Sequence, residues 1–150
     1  MLKKMLQNKF RIIVGLVLIL LLILIRAFEN QLFYDPFLSY FKSEYTNVAF
    51  PKINTIKLFL SLGFRYYLNS MISLGILYLL FNEFKLVKFS TFLYVLFGSI
   101  LMISFFFVLL KLGESSKMTL FYIRRFIIQP IFLMLFIPAF YYQKKIKNRL

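Results

Sequence analysis

The sequence predicts an all-α integral membrane protein of four transmembrane helices, and three observations carry that prediction. Of its 150 residues 61% are hydrophobic and 21 are Phe, with a mean hydropathy of +0.81, against ~45–50% apolar residues in a soluble domain. The apolar residues fall in four long runs separated by short charged or Gly- and Pro-containing stretches. Both ends are basic and acid-free, with Lys3, Lys4, Lys9 and Arg11 at the start and Lys144, Lys145, Lys147 and Arg149 at the end. Such short basic segments stay in the cytoplasm. Both termini are therefore expected there, which requires an even number of spans within one membrane domain over 1–150.

Composition excludes several kinds of chemistry. There is no Cys and no His, so a thiol nucleophile, a thiolate metal site, a disulfide and an imidazole base are all ruled out. The carboxylates are Glu29, Asp35, Glu44, Glu83 and Glu114. One Asp cannot make a paired-aspartate intramembrane protease, and a Ser-His dyad fails for want of His. Ser115 or Ser116 beside Lys117 leaves a Ser-Lys pair formally open, but neighbouring turn residues are poorly placed for it. The chain reads as non-enzymatic, with no metal and no cofactor. A net charge of +14 raises nucleic acid as a partner. However, the basic residues flank or interrupt apolar runs and build no soluble basic face. Membrane lipids are the expected anionic partner, and nucleic acid is not.

The first span is expected over 10–28, built on the aliphatic block IIVGLVLILLLILI from Ile12 to Ile25. That block resembles a signal-peptide core. The following Arg26-Ala27-Phe28-Glu29 offers no small-x-small cleavage site, so it reads as a retained helix. Residues 29–58 form an aromatic-rich loop between helices 1 and 2, expected to lie on the outer headgroups. Phe33, Tyr34, Phe37, Tyr40, Phe41, Tyr45 and Phe50 are mixed there with single charges and interrupted by Pro36 and Pro51. Asp35-Pro36 reads as a helix start, N-cap then first helical residue, which would put Leu38, Phe41 and Tyr45 on one face.

The second span is expected over 60–81. Within it Arg65, Asn69 and Ser73 recur every four residues and so share one stripe, which should face other helices or a polar cavity. Asn and Ser also serve as ordinary interhelical contacts worth ~0.6 kcal/mol each. A turn over 82–88 leads to a charge-free third span over 89–110, where Gly98 and Ser99 permit close helix approach. A turn over 111–117 follows. The fourth span is expected over 119–142. In it Pro130 leaves the carbonyl of Phe126 without its usual partner and predicts a kink, repeated at Pro138. Arg125 and Gln129 lie one turn apart and are expected to face the bundle or a partner, with Arg124, rotated by ~100°, turned to the headgroups.

With both termini inside, Arg26, Arg65, Arg124 and Arg125 come to the outer membrane boundary. Glu29 and Asp35 join them from the loop, with Asn69 and Gln129 one turn deeper. Nine of the 19 basic residues then lie outside, against the usual bias. A guanidinium at the bilayer centre costs ~2.5–3.5 kcal/mol on insertion scales, less where it can snorkel to headgroups. It also forks onto carboxylate or phosphate and stays charged when partly desolvated. In one reading Glu29 and Asp35 pair with two arginines and staple the loop to the bundle. In the other the unpaired arginines receive a phosphate or carboxylate from a lipid, a lipid-linked sugar or a partner. Four arginines against two acids allow both, while the bland reading of Arg124 and Arg125 is that they only snorkel.

At RAFENQLFYDPFLSYFK, RYYLNSMISLGILYLLF and FYIRRFIIQPIFLMLFIPAFYYQ the chain resembles the exosortase F system-associated membrane proteins of Bacteroidota, small proteins encoded beside exosortase F. The resemblance spans 26–143. It implies an inner-membrane accessory in a system whose other member is a multi-spanning Cys/Arg/His transpeptidase acting on C-terminal sorting signals of exported proteins. Without Cys or His this chain cannot be that enzyme, and no catalytic residue carries over. The expected function is docking of the exosortase, or of an anionic lipid-linked group, through the outer arginine layer. A small membrane carrier component is one alternative, but it would need a polar path through the charge-free third span and the inner half of the fourth. A basic immunity or stress membrane protein is the other.

Overall fold

The computed structural model describes residues 8–147, and the regular elements among these described residues are all helical, with no strand. Lys3, Lys4 and Arg149 of the basic ends lie outside them. Helix α1 (Lys9–Ala27) is followed by two short helices, α2 (Glu29–Leu32) and α3 (Pro36–Tyr40). Two long helices come next, α4 (Thr55–Phe81) and α5 (Phe84–Phe107), and the chain ends in α6 (Lys117–Ile128) and α7 (Ile131–Lys147). A π-helical turn, Val108–Leu112, and a 3-10 turn, Gly113–Ser116, link α5 to α6. Gly113 takes φ 53° and ψ −136° there, a conformation that a Cβ would oppose. Three helical stretches are long and apolar enough to cross a membrane: Lys9–Ala27, Thr55–Phe81 and Phe84–Ile128.

The stretch expected as the fourth span is two helices. Pro130 lacks an N–H, and its ring disfavours helical backbone in the residue before it. Gln129 is accordingly extended (φ −103°, ψ 143°), so the chain breaks where a kink was expected. Pro138 sits inside α7, which continues to Lys147 rather than ending at 142. Other boundaries are wider than hydropathy suggested. Helix α4 begins at Thr55, five residues before the expected 60, because Asn54 caps it by accepting from the Lys57 amide at 3.2 Å. Helix α5 begins at Phe84 rather than 89, leaving only Asn82 and Glu83 as the turn. Lys57, Lys85 and Lys88 shortened the hydropathic spans, yet all three sit on exposed faces near helix ends.

The apolar interior divides in two. The core nearer the Pro36–Tyr40 helix, here called outer as against the inner one at the far end of the bundle, holds Phe37, Leu58, Leu62, Phe105, Leu120 and Ile127. An inner core holds Leu77, Phe81, Tyr94, Leu133, Phe136 and Phe140. Helix α1 buries no residue of its own. It rests on α4, where a Cβ on Gly75 would come within 3.3 Å of Leu18. Large apolar side chains such as Leu20, Leu60, Val95 and Met134 face outward. With charged Arg65 buried and Leu exposed, the arrangement is that of a protein solvated by lipid.

The segment expected as a loop on the headgroups is folded into a cap. Phe33, Phe37, Leu38 and Tyr40 are buried in it. The Phe37 ring meets Phe50 and Phe105 edge-on at 5.5 and 6.2 Å. Helix α3 stops at Tyr40, so Leu38, Phe41 and Tyr45 share no continuous helical face. Phe41 and Tyr45 still touch edge-on at 5.1 Å. The Tyr40 hydroxyl donates to the Val48 carbonyl at 2.8 Å. Lys117 Nζ donates to the carbonyls of Tyr45, Thr46 and Val48 at 3.2, 3.3 and 2.6 Å. The Phe50 amide donates to Glu114 at 3.0 Å.

Candidate functional site

The four-residue stripe of α4 points inward, burying Arg65, Asn69 and Ser73. On α4 these residues lie between the outer core at Leu58 and Leu62 and the inner core at Leu77 and Phe81. Arg65 is 1% exposed and donates through Nη2 to Glu29 Oε2. Arg26 Nη1 reaches the same oxygen at 2.8 Å from the end of α1. Asp35 Oδ2 lies 4.0 Å from Arg65 Nη1 and also takes a fork from Arg124. Arg124 Nε is 3.2 and 3.0 Å from the two Asp35 oxygens, and its Nη2 donates as well. The Phe33 ring lies 5.3 Å from the Arg65 guanidinium carbon. Asp35 is the N-cap residue of α3 with Pro36 at the first helical position, but its side chain makes no cap bond, because Arg124 takes the carboxylate.

Arg124, expected at the headgroups, is the arginine of this pair that faces the bundle. Leu120, Arg124, Ile127 and Ile128 form the buried stripe of α6. Arg125 is exposed and donates from Nε to Gln129 Oε1 at 3.3 Å. The sequence contained this phase, since the apolar residues at 120, 127 and 128 put 124 on their face. Reading Gln129 as a continuation of the helix hid it. Asn69 Nδ2 donates at 3.0 Å to the carbonyl of Ile128, the last residue before the break. The knot thus gathers Arg26, Arg65 and Arg124 with Glu29 and Asp35, while Arg125 and Gln129 stand outside it.

Two further polar ties lie at the opposite end, and neither was anticipated. Arg11 Nη2 donates to Asn82 Oδ1 at 3.0 Å. Asn82 ends α4 in the left-handed conformation, φ 50°, which Asn tolerates better than most residues. Lys144 Nζ donates to the Phe81 carbonyl at 2.9 Å and pairs with Glu83 at 2.8 Å. The hydrogen bond from Lys144 to Glu83, with Lys147 and Lys85 nearby, holds the Glu83 carboxyl below the usual carboxylate range. The Ser-Lys pair does not form. The Ser115 hydroxyl donates to the Leu112 carbonyl at 2.6 Å, and Lys117 is engaged with the cap.

No family model, no curated protein and no solved structure matches the chain.

Chemically, the knot is a fixed arrangement of three guanidiniums against two carboxylates. Its bidentate Arg124–Asp35 contact is the geometry in which arginine exceeds lysine. It joins α1, the cap, α4 and α6. Its surplus positive charge reaches the surface at Arg26, whose side chain is 51% exposed.

Proposed function

We propose that the chain is a non-enzymatic accessory protein of the inner membrane. It crosses four times with both termini in the cytoplasm and docks a membrane-embedded exosortase-type enzyme, or an anionic group brought to it, through its outer face. The observation that supports this most is the knot's surplus guanidinium charge, placed where a folded aromatic cap meets the bundle. Arg65 and Phe81 lie sixteen residues apart on α4, about 24 Å at 1.5 Å per residue, near the ~30 Å of the hydrocarbon layer. The α6–α7 pair covers the same height, from Arg124 beside Asp35 to Lys144 beside Phe81, which favours counting it as the fourth crossing. Arg26 and Arg125 are the guanidiniums of the outer layer that stay exposed for a partner. The choice of an exosortase rests on the motif resemblance.

The break at Gln129 favours a carrier, since interrupted helices line many substrate sites. Against it, the Ile128 carbonyl at the break is taken by Asn69, and the core beyond is aromatic, with Tyr94 packed on Phe132 and Phe136.

Reporter fusions after Glu83 and after Leu150 should report cytoplasm, and one within 43–47 should report the outside. Affinity purification from mild detergent should bring down an exosortase-type protein. Arg26→Ala and Arg125→Ala should each weaken that capture, Arg125→Ala without lowering the melting temperature. A Leu150 fusion on the outside would end the four-span reading, and capture indifferent to both substitutions would end the docking role of the arginines.

A further inference from the structure

Among the described residues, the buried side-chain atoms that find no hydrogen-bond partner are Ser61 Oγ, Arg65 Nε and Nη1, Ser73 Oγ and the Tyr94 hydroxyl. They are not scattered. Ser61 lies one turn before Arg65, so it joins the α4 stripe of Arg65, Asn69 and Ser73. The Tyr94 hydroxyl reaches that stripe from α5, toward Ser73, without completing a hydrogen bond to it. Asn69, between the two groups, is engaged with the Ile128 carbonyl.

The other hydroxyls of these helices behave differently. A Ser or Thr within a helix can return its hydroxyl to the carbonyl four residues before it. Ser70 on α4 does so at 2.8 Å, and Ser90, Thr91 and Ser99 on α5 do so at 2.9, 2.9 and 2.8 Å. Ser61 and Ser73 forgo that bond. A buried hydroxyl without a partner carries its full desolvation cost, so these orientations call for something to receive them.

Charge narrows what that is. The buried guanidiniums of Arg65 and Arg124 are matched by Glu29 and Asp35, and Arg26 is half exposed. An anion would therefore add an unmatched charge, whereas a neutral oxygen that both accepts and donates would not. Arg65 Nη1 stops 4.0 Å from Asp35 Oδ2, beyond a direct hydrogen bond and within reach of a shared water. Ser73 and Tyr94 pose the same need. Bonded to each other they satisfy one proton donor, and the second still lacks an acceptor. A buried water makes ~3 hydrogen bonds to groups of this kind.

We propose that the α4 stripe binds structural water at two places, one served by Ser61, Arg65 and Asp35 and the other by Ser73 and Tyr94. The second lies eight residues from Phe81, about 12 Å, close to the midplane of a ~30 Å hydrocarbon layer. That depth rests on the membrane placement given above; the water sites themselves do not. Toward the inner end Leu77, Phe136 and Phe140 close the stripe, so it is hydrated on one side only and makes no path across.

The test is X-ray radiolytic hydroxyl labelling of the full chain in detergent, in which radicals made from bound water mark the side chains beside it. Normalised to the unfolded chain, Tyr94 should label several-fold faster than Phe81 and Phe140, which are buried to a similar degree. Ser73→Ala should bring Tyr94 down to their rate. Melting supplies an independent sign. Removing a hydroxyl that has no partner relieves a desolvation cost and raises the melting temperature, whereas removing one that holds a water lowers it. Ser61→Ala, Ser73→Ala and Tyr94→Phe are nearly isosteric, and each should melt below wild type. Tyr94 labelling no faster than Phe81, or variants that melt above wild type, would overturn the proposal. Stabilisation by chloride over gluconate at equal ionic strength, abolished by Ser61→Ala, would also overturn it by giving Arg65 an anion.

Discussion

The two ends of the bundle are both tied by polar side chains, and they differ in how far those ties are removed from solvent. At the outer end Glu29, Arg65 and Arg124 are 5%, 1% and 4% exposed. At the inner end the side chains of Lys144 and Glu83 are 24% and 41% exposed. The inner contacts fasten helix ends that the cores already hold. The outer contacts join the cap to the bundle beside its aromatic packing, and they do so with buried charges flanked by the Phe33 and Phe41 rings. Removing one member of a buried pair strands the other, whereas an exposed pair loses a contact that water replaces. Similar chemistry thus carries opposite stakes at the two ends.

Substitutions should rank accordingly. Asp35→Ala removes the acceptor of Arg124 and the near neighbour of Arg65, and should destabilise the folded protein by ~3–5 kcal/mol, read as lost thermal stability in detergent. A melting curve like wild type would place Asp35 in solvent. Arg124→Lys should follow, since an ammonium cannot make the parallel bonds to Asp35, while Arg125→Lys should leave melting unchanged. Equal effects at the two sites would erase the distinction between buried and exposed arginine. Asn69→Ala leaves the Ile128 carbonyl unpaired at the break and should cost ~1–2 kcal/mol; no loss would mean that the break needs no support from α4.

The smallest effect belongs to the inner end. Glu83→Gln should change stability by ~0–1 kcal/mol. The contribution of Glu83 carries a definite sign, because the folded carboxyl is depressed. It is fully present above the ordinary carboxylate value, ~4.3, and fades as pH falls through the lower folded value. Wild type and Glu83→Gln should therefore differ at neutral pH and converge in acid. Divergence in acid would reverse the assignment.

The sequence makes the helical membrane class readable because lipid demands long apolar runs, and three such runs are present in the fold. The α4 stripe was equally legible, since period four on a helix fixes a face whatever surrounds it. Local backbone chemistry was harder to rank. Pro130 could kink or break its helix, and only the extended Gln129 decides between them. The arginine pair was misassigned because Gln129 was treated as helical, although Leu120 and Ile127 carried the phase. The stapling of the loop to the bundle through Glu29 and Asp35 was legible as one of two readings, but the aromatic burial of the cap was not, because it depends on residues distant in sequence: Phe37 meets Phe105, and Lys117 gathers three carbonyls of the 45–48 segment. An aromatic, Pro-broken loop reads the same in sequence whether it lies on a membrane or folds into one.

The most direct measurement is a double-mutant cycle between Asp35 and Arg124, read by thermal or denaturant unfolding in detergent. The singles Asp35→Leu and Arg124→Leu each leave a buried charge facing an alkyl group. The double removes both charges and leaves two apolar side chains of suitable size. The account predicts a coupling of at least ~2 kcal/mol, with the double variant more stable than either single. Strictly additive losses would mean that the two side chains do not meet, and that the cap is held to the bundle by something other than this charge knot.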